Sequence, residues 1–504
     1  MNSSFFENFF FYQSATPLIF TSGTFWIFFA IVLLLFSVTN NNLKFRNFIL
    51  MCCSMFFYYK SSGMYLVVLL MSISIDFVLG NLIYKSEKKS TKHWLIAICV
   101  IINLSLLGFF KYAHFITESV NQLLGTSFEV VNFITLLSNA VSGETKDLSV
   151  IFLPVGISFY TFQSLSYAID IYREEIKPVK TLLDYAFFVS FFPQLVAGPI
   201  VRASEFLPQI HKPFNLSQHE FTQAIYLILA GLAKKIIISD YISSNFVDRV
   251  FSTPNSFTGF ENLIAIYSYS MQIYCDFSGY TDIAIGVALL LGFRLTLNFN
   301  KPYSSINITD FWRRWHMSLS RWLKDYLYIS LGGNRNGKFR TYLNLFLTML
   351  LGGLWHGAHI KFIIWGALHG IALGIHKIWM KYLPSPNTTT YNIISGIFTF
   401  HFVAFCWIFF RADSVDAVFL MLNQIGNNFQ FELIPNVIEG YGNIFGVIIL
   451  GFILHFIPTK FSEIAKNKFS QMPIIIKALS ICIIVLIIYQ FKTSASQPFI
   501  YFQF

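Results

Sequence analysis

The sequence predicts an all-α polytopic membrane protein, and three observations predict it. Hydrophobic residues make up 55% of the 504 and charged residues only 12%, against roughly 25% charged in a soluble domain. Mean hydropathy is +0.59. Apolar runs close to the roughly 20 residues needed for a membrane-crossing helix recur from end to end. The 59 Phe residues add lipid-facing bulk and carry no mechanism by themselves.

In chain order, apolar runs near 24–39, 47–59, 64–84, 94–112, 148–171, 182–200, 222–239, 260–275, 279–293, 341–356, 359–378, 393–410, 442–458 and 473–491 are the candidate spans. Those at 47–59, 182–200 and 341–356 are short enough to be tilted, re-entrant or broken. The expectation is about 11 to 13 crossings with extra short helices embedded in, or lying on, the membrane. No internal repeat, soluble domain or long linker is visible. The chain therefore reads as one membrane domain, 1–504, with N-terminal spans to 180, a chemistry-bearing core over 181–380 and C-terminal spans after it.

Loop charges orient the spans, because basic loops mark the cytoplasmic side. Lys44 and Arg46 follow the first run, Lys85, Lys88, Lys89 and Lys92 form the next basic loop, and Lys460, Lys466 and Lys468 precede the last run. This places both termini outside. Arg294 to Arg340 carries nine basic and two acidic residues, supplies +7 of the net +10, and is expected to face the cytoplasm. That sidedness accounts for the basic balance without a nucleic-acid partner. The loops at 113–147 and 411–441 are outward-facing connections or docking surfaces. The six cysteines are scattered through apolar runs without a CxxC and read as buried thiols. The first 20 residues hold no Lys or Arg, so no signal-peptide n-region is expected.

The chemistry concentrates between Asp310 and Gly370. Two histidines there, His316 and His356, sit in apolar company behind basic stretches, and ionisable groups are costly at membrane depth. Pro302–Ser330 reads as an amphipathic helix: Trp312, Trp315, Leu319, Trp322, Leu323 and Tyr326 share one face with His316, while Arg313, Arg314, Arg321 and Lys324 share the other. An interfacial anchor on lipid headgroups explains part of this pattern but not an inward histidine. A glycine turn with Arg335 follows, and no Walker A lysine follows it. Gly352, Gly353 and Gly357 clear space around His356 and are positioned to break the helix there.

His356, His359 and His369 invite a metal. The reading is rejected on ligand chemistry: no Asp or Glu lies between Asp325 and Asp413, no Cys between Cys275 and Cys406, and His-x-x-His is not a helical zinc pair. A carboxylate that orients His356 must come from elsewhere. Asp276 and Asp282, between two apolar runs, are the candidates; the competing reading is a helix break held by buried hydrogen bonds. With no Gly-x-Ser-x-Gly elbow and no Cys/His pairing, histidine as a general base in a dry site remains.

The segments Phe192–Ile200, Asp276–Asp282, Phe299–Tyr303, Phe311–His316, Leu327–Arg335, Gly353–Gly357 and Pro498–Phe504 occur in order over nearly the whole chain. In them the sequence resembles the membrane-bound O-acyltransferase (MBOAT) family, in particular its bacterial alginate and peptidoglycan O-acetylation branch. The resemblance implies spanning helices around a central funnel, His356 as the essential histidine with His316 its partner and Trp355 in support, and no bound cofactor. It implies acetyl-CoA as cytoplasmic donor, its phosphates drawn by Arg313, Arg314 and Arg335, in the bacterial inner membrane. It also implies a periplasmic partner protein and an envelope polysaccharide as final acceptor. Two alternatives stay open: transfer of another acyl group such as D-alanine to teichoic acid, and a proton-coupled transporter, which the lack of repeats disfavours.

Overall fold

The computed structural model describes residues 9–13, 17–143, 145–196, 198–383, 386, 388–491 and 499–500. Among them there are helices and no strands, as a chain that must satisfy its backbone inside lipid requires. Two compact units are present, Met1–Leu216 with Ala288–Leu295, and Ser217–Val287 with Thr296–Phe504.

The first unit comprises α1 (Gly23–Thr39), α2 (Leu43–Ser62), α3 (Leu66–Lys85), α4 (Lys89–Leu124), α5 (Phe133–Ser142), α6 (Ile157–Tyr172), α7 (Leu182–Ser190), α8 (Phe192–Leu195) and α9 (Ala203–Ile210). Starts are set by side-chain caps where the sequence offers them: Ser22, Asn42, Asn132 and Thr181 each accept a first-turn amide. α2 packs on α1 and α7, and α6 packs on α3 and α4.

The second unit comprises α10, running from Gln218 through π-helical turns to Ser252, and α11 (Gly259–Leu290). Then come α12 (Ile308–Arg314), α13 (Met317–Trp322), α14 (Gly337–His356), α15 (Ile360–Tyr382), α16 (Thr389–Arg411) and α17 (Val415–Asn427). The last are α18 (Ile434–Gly440), α19 (Gly442–Phe456), α20 (Thr459–Gln471) and α21 (Ile474–Gln490). α14 and α15 form a closely packed hairpin, and α15 also meets α16 and α12.

Six helical stretches among the described residues are long and apolar enough to cross a membrane, or seven if the pair bent by 86° at Tyr441 counts as one span; α1 and α21 are shorter apolar helices. This is fewer than the 11 to 13 read from the sequence, for identifiable reasons. The runs at 260–275 and 279–293 are one continuous helix, α11. The run at 182–200 resolves into the nine-residue α7 and the four-residue α8, and α6 is only 16 residues. Among the cysteines, Cys99, Cys275 and Cys406 are buried, whereas Cys52 and Cys482 lie on outer faces of apolar helices.

Candidate functional site

The expected amphipathic helix over 302–330 is broken at its histidine. α12 ends at Arg314, and His316 itself adopts φ 42°, ψ 56°, a left-handed conformation rare and strained for a residue with a Cβ. The two faces nonetheless separate as the pattern predicts. Trp312, Trp315, Leu319, Trp322, Leu323 and Tyr326 are all buried, while Arg313 and Lys324 are exposed.

Asn298 holds the break together. Its Oδ1 accepts from Ser318 N (3.1 Å) and Ser318 Oγ (2.9 Å) and lies 3.1 Å from His316 Nδ1, and its backbone carbonyl accepts from Met317 N at 2.9 Å. The Ser318 amide can only donate, which identifies the Asn298 atom as oxygen; an amide oxygen can only accept, so His316 Nδ1 carries the proton. The basic lone pair of His316 is therefore on Nε2. The ring is fully buried, edge-on to Phe277 at 4.6 Å and stacked on Phe299 at 6.4 Å. His316 lies outside the candidate spans, and burial alone pushes its pKa down to about 3. At neutral pH the ring is therefore neutral, with its tautomer set by Asn298.

His356 is the last residue of α14. It is 4% exposed and ringed by Trp355 (4.8 Å), Trp365 (5.1 Å) and Phe410 (5.1 Å). Of the three glycines expected to break the helix here, Gly357 does so as the C-cap of α14, while the helix runs through Gly352 and Gly353. These two serve packing instead. A Cβ on Gly353 would stand 2.3 Å from the Phe362 carbonyl oxygen, and one on Gly366 2.5 Å from that of Met349, so the hairpin closes backbone to backbone. Aromatic rings join the two histidines' surroundings: Phe299 to Trp315 (5.0 Å), Trp315 to Trp407 (4.9 Å), and Trp407 to Trp365 (5.9 Å).

α12 lies along α15. Thr309 Oγ1 is 2.7 Å from His376 Nδ1, and Trp312 Nε1 donates to His369 Nδ1 at 3.3 Å. His369, fully buried, meets Trp365 at 4.7 Å, the same indole that meets His356. Arg314 is tied to Asp310 at 2.9 Å, and Arg313 faces outward. Arg335 is exposed in a turn where Gly332, Gly333 and Gly337 all have positive φ. That turn precedes α14, whose 20 residues at 1.5 Å rise separate it from the His356 end by about 28 Å. The three arginines therefore do not form one cluster at His356.

Asp276 and Asp282 do not orient His356. Both lie within unbroken α11 and pair with lysines of α10: Lys234 Nζ meets Asp282 Oδ2 at 2.6 Å, and Lys235 Nζ bridges Asp276 Oδ1 and Asp240 Oδ1. Asp276 Oδ2 accepts from Ile500 N at 2.9 Å. Phe499 packs on Phe277 (5.3 Å) and Tyr280 (4.7 Å), so the tail backs the wall that holds His316. Of the motif Pro498–Phe504, only Phe499 and Ile500 lie within the described residues. Sequence reasoning missed Asn298 and the contact of His369 with Trp312 and Trp365; the one available signal for Asn298 was that it directly precedes a recognised motif.

The long apolar helices define a multi-pass membrane protein, and two buried histidines lie within its second unit. The chain belongs to the membrane-bound O-acyltransferase family, whose model matches residues 145–413. It is 34% identical over 485 residues to a peptidoglycan O-acetyltransferase of Helicobacter pylori, covering 87% of this chain and 88% of that protein. It is 44% identical over 336 residues to a protein of Pseudomonas aeruginosa named "Probable alginate O-acetylase AlgI", covering 66% of this chain and 60% of that protein. The match thus spans less than two thirds of the alginate relative's length. A teichoic acid D-alanyltransferase of Bacillus subtilis is 33% identical over 272 residues, covering 51% of this chain and 68% of that protein.

Proposed function

We propose that the protein is an O-acetyltransferase. In this reading it takes acetyl from acetyl-CoA on the cytoplasmic side of the inner membrane and passes it outward for O-acetylation of an envelope polysaccharide, through a periplasmic partner. The observation that carries the proposal is the caged His356 at the end of α14, with the basic turn bearing Arg335, Lys338 and Arg340 at the other end. That layout suits a charged donor held at one face and a dry base at the other.

His356 takes the proton of an acceptor hydroxyl, and His316 is its partner in the site. The hydroxyl oxygen forms a bond to the thioester carbonyl carbon, the C–S bond breaks, and the imidazolium returns its proton to the departing thiolate. Arg313, Arg314 and Arg335 attract the donor's phosphates. Both termini face the periplasm in this orientation. The second reading, D-alanyl transfer, is favoured by the Bacillus subtilis relative. The test is base-labile acetate released from purified cell-wall glycan and exopolysaccharide of wild-type, deletion and His356→Ala cells. Loss from one polymer in both mutants is expected; unchanged acetate in every polymer, with D-alanine lost instead, overturns acetyl in favour of D-alanyl.

A further inference from the structure

The first unit contains a cavity that the acyl-transfer reading leaves unused. It has a volume of about 1010 Å³ and is walled by Leu43, Ile176, Val179 and Leu207, with Lys44, Lys177 and Lys180 around it. All three lysines are exposed, and no carboxylate among the described residues forms an ion pair with any of them. Asp184 is the carboxylate in the lining, and His211 Nε2 lies 3.7 Å from it.

The helices behind the lining are tied together. Arg46, 2% exposed, donates from Nη1 to the Lys212 carbonyl (3.0 Å) and from Nη2 to the Ile210 carbonyl (2.8 Å). Neighbouring Asn47, itself in the lining, also donates to Ile210 O, at 3.0 Å. These bonds cap the C-terminal end of α9 and hold it against α2. The N-terminal turns of α7 and α9, at Thr181–Asp184 and Ala203–Ser204, also line the space and bring the positive ends of two helix dipoles to it.

Lys44 follows α1, and Lys177 and Lys180 follow α6. The beginning of α4 meets the same connection, through Lys92 to Glu174 (2.8 Å), and the end of α6 through His93 to Tyr172 (3.1 Å). The connection after α6 carries exposed Glu174 and Glu175 as well as the two lysines, and basic loops mark the cytoplasmic side, against the anionic leaflet.

We propose that this cavity binds an anionic phospholipid, its phosphate among Lys44, Lys177 and Lys180 and the beginning of its acyl chains against the apolar wall. A lone inorganic phosphate needs no apolar wall of this size, and a zwitterionic lipid brings no net negative charge to the three lysines. The site lies in the first unit and does not depend on the acyl-transfer reading of the second.

The test uses the full chain, purified and delipidated, with phosphatidylglycerol or phosphatidylcholine offered and retention read by native mass spectrometry. Phosphatidylglycerol is retained over phosphatidylcholine, and Lys44→Glu/Lys177→Glu/Lys180→Glu lowers that retention about a hundredfold, as expected from the contribution of each basic residue at an anionic surface. Leu207→Trp fills the wall while leaving the charges and also lowers retention; it decides the matter if the triple variant does not fold. Equal retention of the two lipids, or full phosphatidylglycerol retention in Leu207→Trp, overturns the proposal. Displacement of phosphatidylglycerol by millimolar CoA also overturns it, in favour of a soluble phosphate ligand.

Discussion

The two histidines of the second unit are held by opposite means. At His316 the backbone is the unusual part: a left-handed residue between two short helices, pinned through Asn298. At His356 the backbone is an ordinary helix end, and the side chain is fixed by three aromatic rings. One imidazole has its tautomer chosen by the acceptor Asn298, and the other is lined by aromatic packing. The difference teaches that removal of a single neighbour should misdirect the first histidine, while the second should tolerate loss of one ring and fail only when the imidazole itself goes.

The largest expected effect tests that directly. His356→Ala removes the proposed base and lowers acyl transfer by about 10³-fold or more, with membrane insertion intact. Acetate per glycan chain in cells, or acetyl-CoA turnover by purified protein, reads it. Wild-type transfer in this variant eliminates the caged histidine as the base.

Asn298→Ala comes next. It leaves His316 in place but removes the acceptor that fixes its Nδ1–H and supports the left-handed turn. Turnover should fall by about 10²-fold, the cost of a small misplacement, with the donor KM little changed. Activity within about twofold of wild type would mean that the ring is held by Phe277 and Phe299 alone, and the contrast with His356 would collapse. The break also carries a pH signature. His316 is neutral in the folded state and ionises near its ordinary value once unfolded, so the unfolded chain binds more protons between about pH 6.5 and pH 3. Stability therefore declines as pH falls through that window, and His316→Asn should flatten the decline in thermal unfolding curves.

The packing side of the comparison is tested by two glycines. Gly353→Ala would put a Cβ 2.3 Å from the Phe362 carbonyl and should destabilise the α14–α15 hairpin by about 2 kcal/mol. Gly374, on the same hairpin, has no atom within 4 Å of a built Cβ, so Gly374→Ala should be neutral or slightly stabilising. Equal melting temperatures for both variants would show that the hairpin tip adjusts freely and does not cage His356.

The same contrast explains what the sequence could reveal. Composition and apolar runs predict a helical membrane protein, and the positions of His316 and His356 stand out because ionisable residues are rare in such company. A helical period cannot reveal one residue turning left-handed, so the break at His316 was invisible, although the buried and exposed faces around it were legible. The reverse holds over Asp276–Asp282, where the two apolar runs suggest a break and the helix is continuous. There a Cβ on Gly279 would meet the Gly231 carbonyl at 2.8 Å, and one on Gly231 the Gly279 carbonyl at 2.5 Å. The glycine marks a close crossing of α10 and α11, and a glycine's reason depends on a partner that sequence alone does not supply. The sequence leaves Asp276 and Asp282 between an orienting and a structural role, because their partners Lys234 and Lys235 lie more than 40 positions away.

The smallest expected effect separates two adjacent arginines. Arg314 already spends its charge on Asp310 at 2.9 Å, whereas Arg313 projects outward from the same turn of α12. If Trp312 fastens this helix to His369 while its other face attracts the donor, Arg313→Ala should raise the acetyl-CoA KM a few-fold and leave kcat near wild type, since an exposed charge contributes about 1 kcal/mol or less. Arg314→Ala should do less to KM, because the charge lost was partly neutralised, and it frees Asp310 to repel phosphate. An unchanged dependence on acetyl-CoA concentration in the double variant would remove α12 from the donor site. The broken segment around His316 would then answer to the acceptor alone, and the basic turn before α14 would be left as the surface that meets the donor.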